Sequence, residues 1–156
     1  MAAIFISHSN QDKQFVQELQ AALEGRGLSV WPDTRELRPG DVLEPEIKTA
    51  IEEARDFIVV FSLNALNSKW VSMEVKHALS VRRKRGGDFH VVPVLIGNVK
   101  PESIKARFGQ EPVCVMADSG PLGLSRAMPE ILRALGEREG TAPAPDAAAG
   151  EAAGCG

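Results

Sequence analysis

A chain of 156 residues with 44% apolar side chains is long enough for one domain with a full core. Its 18 basic and 21 acidic side chains leave a net charge of −3, so no global field draws in nucleic acid or an anionic membrane. No apolar run approaches the ~20 residues of a membrane span, and the N-terminus lacks the basic and long apolar regions of a signal peptide. Cys114 lies in an apolar segment and Cys155 near the C-terminus, an arrangement that argues against a disulfide framework. The expected setting is the cytoplasm, without direct contact with nucleic acid or a membrane.

In chain order, residues 3–6 form a short apolar run that ends in Ser7-His8-Ser9 and reads as a strand. Phe15, Val16, Leu19, Ala22 and Leu23 give a helical stripe that stops at Gly25-Arg26-Gly27. Residues 28–31 supply a second short strand and residues 32–43 a turn-rich loop. Ile47, Ala50, Ile51 and Ala54 mark a second helix, with Pro45 near its first position. The run FIVVF at residues 57–61 is the third strand, residues 68–85 the third helix, and residues 91–96 the fourth strand. A loop with one helical turn around residues 103–108, a fifth strand at 113–116 and a final helix at 125–138 complete the pattern. Strands alternating with helices predict a parallel sheet covered on both faces. The expected architecture is a flavodoxin-like, three-layer α/β domain whose five-stranded sheet has the order 2-1-3-4-5. The domain spans residues 1–138, and residues 139–156, rich in Ala, Gly and Pro, read as a flexible tail or linker. A linker of this kind suggests the N-terminal module of a longer protein.

The segment from Ser62 to Leu79 carries a lone carboxylate, Glu74, one helical turn after Trp70 in apolar, serine-flanked surroundings. Ser68 is placed to cap the helix, and Val71, Val75, Ala78 and Leu79 form its core-facing stripe. Trp70, Glu74 and His77 form a second stripe about 100° away, on the helix shoulder. The plain account of Glu74 is a half-exposed side chain complementing the helix dipole. In the 2-1-3-4-5 order, however, a crevice opens at the carboxyl ends of strands 1 and 3. Ser7, His8, Ser9 and Ser62 lie at those ends, the loop after strand 2 brings residues 33–40 to the same rim, and the helix brings Trp70 and Glu74. Four segments converging on one edge favour a functional Glu74.

Other chemistries find little support. Neither a G-x-G-x-x-G fingerprint nor a P-loop is present. A phospho-receiver of this strand order needs an Asp at the end of strand 3, where this chain has Ser62, with Asp56 at the strand's opposite end. His8, His77 and His90 are dispersed without ligand spacing for zinc, so no metal is expected. Arg82-Arg83-Lys84-Arg85 falls at a helix C-terminus, where cations complement the dipole.

With these residues in place, the chain resembles the TIR (Toll/interleukin-1 receptor) domain, in particular its prokaryotic members. FISHSNQD at residues 5–12 resembles the first TIR box, and VWPDTRELRPGD at residues 30–41 the loop after strand 2. FIVVFSLNALNSKWVSMEV at residues 57–75 resembles the strand 3 and catalytic-helix segment. The chain departs from the pattern in two places: Asp41 and Val42 follow the loop glycine where an aromatic is often found, and the Phe-Trp of the third box is not recognisable in the last helix.

The resemblance implies one of two functions. In the first, the chain is an NAD⁺ glycohydrolase, the effector module of a bacterial defence or toxin system switched on by self-assembly. Glu74 is then catalytic, stabilising the positive charge that develops on the ribose as nicotinamide leaves. Ser7, His8, Trp31, Asp33, Ser62 and Trp70 form the substrate-binding set, with Trp31 offering a stacking face. Leu37, Arg38, Pro39, Gly40 and Asp41 form the self-association loop. NAD⁺ is the substrate, no separate cofactor is required, and the implied partners are other TIR domains and a fused C-terminal sensor domain. In the second, the chain is a non-catalytic TIR–TIR interaction module and Glu74 is a surface residue.

Overall fold

The computed structural model describes residues 3–31, 45–97, 99–105, 114–117 and 122–136. The β-branched run Phe57–Phe61 forms a fully buried strand, β2, between β1 (Phe5–Ser7) and β3 (Val91–Ile96), with β4 (Val115–Ala117) beyond. All three pairings are parallel. At the position expected for the second strand, residues 28–31, the described residues form a single parallel bridge, Ile4↔Val30, in place of a fifth strand. Two hydrogen bonds hold it: Ile4 N–H donates to the Ser29 carbonyl at 2.8 Å and Trp31 N–H to the Ile4 carbonyl at 2.9 Å. The described sheet therefore has four strands, in the order β1-β2-β3-β4, with this bridge beside the start of β1.

The helices follow from the apolar spacing. Helix α1 (Lys13–Glu24) buries Val16, Leu19 and Leu23, and ends in a turn where Gly27 takes φ 82°, a left-handed conformation that favours glycine. Helix α2 (Pro45–Glu53) starts on its proline, as expected for a residue whose missing N–H costs nothing at the first position. A short helix missed by the periodicity, α3 (Leu63–Leu66), follows β2 directly, capped by Ser62, whose Oγ accepts from Ala65 N–H. Helix α4 (Lys69–Arg85) is capped by Ser68 through Val71 N–H at 3.2 Å. Helix α5 (Gly123–Ala134) begins two residues earlier than its stripe suggested and ends short of residue 138. A 3₁₀ turn at Pro101–Ile104 stands where a helical turn was expected around residues 103–108; residues 106–110 lie outside the described set.

Two cores flank the sheet. On one face Phe5, Phe57, Val59, Phe61 and Leu95 meet α2 and α4 through Ile47, Ile51, Trp70, Val71, Val75 and Ala78. On the other, Ile4, Ile6, Ile58, Val60, Val92 and Val94 meet α1 and α5 through Leu19, Leu23, Ile131 and Leu132. The alternation along each strand divides its side chains between the two faces. Phe5 and Phe57, opposite each other on β1 and β2, stack with ring centroids 5.7 Å apart. Arg85, in the basic last turn of α4, donates to the Ala54 carbonyl just beyond α2 at 2.6 Å, tying two helix ends together. Among the described residues, no helix is long and apolar enough to cross a membrane.

Candidate functional site

Ser7 closes β1, and strand alternation places its side chain on the same face as Phe5, toward α4. Its hydroxyl donates to Glu74 Oε1 at 2.6 Å, across 67 residues of sequence. Glu74 is 0% exposed, which corrects the half-exposed shoulder position inferred from the helix stripe. The stripe gives an angle around α4 but not what lies against it. The carboxyl end of β1 meets Glu74, and α2 lies along α4, where His77 Nε2 and Glu52 Oε2 come within 3.1 Å. A carboxylate taken out of water is costly unless donors compensate. An O–H donor at 2.6 Å falls within the short, charge-assisted range and supplies part of that compensation.

The remaining candidates take distinct places. His8, 1% exposed, follows Ser7 immediately. Its Nδ1 lies 2.9 Å from the Ser9 carbonyl oxygen, which can only accept, so Nδ1 carries the ring proton. Trp70, one turn before Glu74, is 7% exposed and belongs to the apolar cluster with Phe61 and Val71. Trp31 stands at the rim, 36% exposed, anchored through its backbone to Ile4. Asp33 and the loop residues Leu37, Arg38, Pro39, Gly40 and Asp41 lie outside the described residues, as does the segment from residue 137 to the C-terminus.

Ser62 has a partner that sequence reasoning missed. Its hydroxyl donates to Asp12 Oδ2 at 2.5 Å while accepting from Ala65 N–H at 3.1 Å. Asp12 ends a 3₁₀ turn, residues Asn10–Asp12, that is capped by Ser9 through Gln11 N–H. Asp12 was visible as the last residue of FISHSNQD, yet no local pattern tells which side chain it meets fifty residues away. Among the described residues no group of three or more His, Cys, Asp or Glu side chains is placed to hold a metal ion.

A parallel sheet with helices on both faces, and a buried carboxylate at the carboxyl ends of its strands, places the chain among the doubly wound α/β domains. The family of TIR domains matches residues 4–115, and the chain belongs to that family. It is 32% identical over 133 residues to NAD(+) hydrolase TcpA of Theionarchaea archaeon (strain DG-70-1), covering 85% of this chain and 39% of that protein. It is 31% identical over 102 residues to 2' cyclic ADP-D-ribose synthase BtTIR of Bacteroides thetaiotaomicron, covering 65% of this chain and 35% of that protein. Among solved structures, the TIR domains of the activated Roq1 resistosome, which recognises the pathogen effector XopQ, share 31% identity at a TM-score of 0.55. That match covers 69% of this chain and 64% of the other. The chain thus spans less than two-fifths of the length of these two curated relatives.

Proposed function

We propose that this TIR domain cleaves the bond between nicotinamide and ribose in NAD⁺, with Glu74 as its catalytic residue. The observation that carries this reading is the Glu74 carboxylate itself: 0% exposed, at the carboxyl ends of the strands, with one oxygen held by Ser7 at 2.6 Å. A buried carboxylate needs compensation, and a helix position that only complemented a dipole would leave it in water. Relatives named for NAD⁺ hydrolysis and for cyclic ADP-ribose synthesis support the choice of substrate.

In the reaction, the bond from the anomeric carbon to the nicotinamide nitrogen breaks and its electron pair leaves with the ring, neutralising the pyridinium. The ribose is left short of electrons, and a preoriented carboxylate beside it lowers the energy of that state. Water completes the reaction as a linear product, or a hydroxyl of the same molecule completes it as a cyclic one. A single carboxylate is a simpler arrangement than the acid and base pair of ordinary glycosidases, because the leaving group departs without being protonated.

Complete burial of Glu74 also bears on control. Glu74 is 0% exposed, so we assign catalysis to a state in which the carboxylate is opened to the ribose. Assembly of neighbouring TIR domains is the switch we assign to that opening, through residues 37–41, the self-association segment that the resemblance implies, as part of an effector in bacterial defence. The Roq1 likeness supports this reading, since those TIR domains belong to an assembled complex. The same likeness favours the second reading, a TIR–TIR interaction module without catalysis. Chromatography of NAD⁺ incubated with concentrated or artificially clustered protein decides between them. Nicotinamide release by wild type but not by Glu74→Gln is the expected result; no release at any concentration supports the interaction module.

A further inference from the structure

We infer that Asp12 is a positioning residue, which clasps Ser62 across the switch point of the sheet and so holds the two strand-end turns that frame Glu74. The inference rests on the functional reading above and adds to it a residue that touches no substrate.

The topology makes this bond unusual in its reach. The chain leaves β1 toward α1, on one face of the sheet, and leaves β2 toward α3 and α4, on the other. The turns after these two neighbouring strands therefore diverge, and the divergence is what opens a crevice in a doubly wound sheet. The bond from Ser62 to Asp12, 2.5 Å long, spans that divergence. Both ends are anchored. Asp12 sits on a turn held by Ser9, through its Oγ to Gln11 N–H at 3.2 Å and its carbonyl to Asp12 N–H at 2.9 Å. Ser62 is 8% exposed, and its oxygen also caps α3.

The chemistry assigns Ser62 to this work. Its one proton goes to Asp12, so its hydroxyl acts as a strut rather than as a donor to the ribose. The turn beginning at Ser9 follows Ser7 by two residues, and α3 leads into the helix that carries Glu74. A clasp between these turns thus fixes the frame in which Ser7 meets Glu74. Displacements of an ångström at a reacting centre cost up to about 100-fold in rate, so a clasp at one remove is expected to be worth about 10-fold.

Asp12→Ala is the primary variant, because Asp12 makes no side-chain cap to α1, so its loss removes the clasp without breaking a capping hydrogen bond of that helix. Clustered Asp12→Ala and Ser62→Ala proteins are each expected to lose about 10-fold in kcat with KM changed by less than about 2-fold, and the double variant to be no worse than the more affected single. Asp12→Asn, which keeps an acceptor oxygen, is expected to retain most of the rate. A change confined to KM would make either residue a substrate contact and overturn the proposal. So would losses that multiply in the double variant, or an Asn variant as impaired as the Ala one. Amide hydrogen exchange on the full chain supplies an arm that does not depend on activity. In Asp12→Ala, Ala65 N–H is expected to exchange faster together with Gln11 N–H; unchanged exchange at Ala65 refutes the clasp. If wild type releases no nicotinamide, the functional reading fails by that result, and the clasp stands or falls on Ala65 exchange.

Discussion

Ser7 Oγ lies 2.6 Å from Glu74 Oε1, so the last residue of the first strand and the sixth residue of the longest described helix share one proton-mediated contact inside the protein. The contact joins the first TIR box to the helix expected to be catalytic. It makes the two segments interdependent: Ser7 supplies a donor that a buried carboxylate needs, and Glu74 gives the serine hydroxyl, itself 0% exposed, an acceptor.

Glu74→Gln is expected to abolish NAD⁺ cleavage in clustered protein while leaving the fold intact, because the amide keeps the shape and loses the charge. Removal of an electrostatic stabiliser of this kind costs on the order of 10²-fold or more. Initial rates and circular dichroism, measured on the same preparation, check both halves; activity within a few-fold of wild type removes Glu74 from the chemistry.

Ser7→Ala takes a donor from Glu74 and is expected to destabilise the domain by about 1–3 kcal/mol, the usual cost of leaving a buried polar group short of a partner. Cleavage should fall as well, since the carboxylate loses the group that orients it. Ser7→Thr keeps the hydroxyl and should recover part of the rate. Thermal melts paired with initial rates test this, and an alanine variant as stable and as active as wild type would mean that the hydrogen bond contributes nothing.

Asp56 tests stability apart from catalysis. It is 1% exposed at the start of β2, far end-on from Ser62, and its Oδ1 accepts from His90 N–H at 2.9 Å and from the His90 ring Nδ1 at 2.8 Å. Asp56→Ala is expected to cost about 1–3 kcal/mol and several degrees of Tm, with kcat at a temperature well below the transition unchanged. A selective loss of kcat without a shift in Tm contradicts this division of labour.

Phe57→Ala removes a ring that is 0% exposed and stacked on Phe5. The expected loss is about 3–5 kcal/mol, enough to threaten the fold of a domain of ordinary stability. Denaturant titration with unchanged slope and a lower midpoint is the result anticipated; a loss under ~1 kcal/mol would show that the neighbouring side chains collapse into the space.

Assembly control predicts a specific activity that rises with protein concentration, since Glu74 is 0% exposed in the single chain and assembly is proposed to open it. Leu37→Glu and Gly40→Val, chosen from the composition of the loop, should lower the activity of clustered protein without unfolding it. Rates per molecule across a dilution series, with light scattering for size, form the test. Constant specific activity down to the monomer rules assembly out even if Glu74 is catalytic.

Local chemistry was enough for much of this molecule. The runs at Phe57–Phe61 and Val91–Ile96 are strands with the bounds their apolar residues mark, because a strand buried on both faces leaves no polar position inside it. Ser68 and Pro45 act at their helix starts as expected, since caps depend on groups within one turn. The order of segments likewise sufficed to bring Ser7, Ser62 and Glu74 toward one rim. What periodicity could not supply was depth and partnership. The stripe on α4 located Glu74 by angle, and only the tertiary structure shows that it is buried and that the end of β1 brings Ser7 to it. The second strand shrank to one bridge at Val30 because strand length depends on the neighbour that supplies the hydrogen bonds, and four residues of sequence do not contain that neighbour. The short helix at Leu63–Leu66 hid in a segment too short for a period to register, and Asp12 found Ser62 only because two diverging turns meet at the edge of the folded sheet.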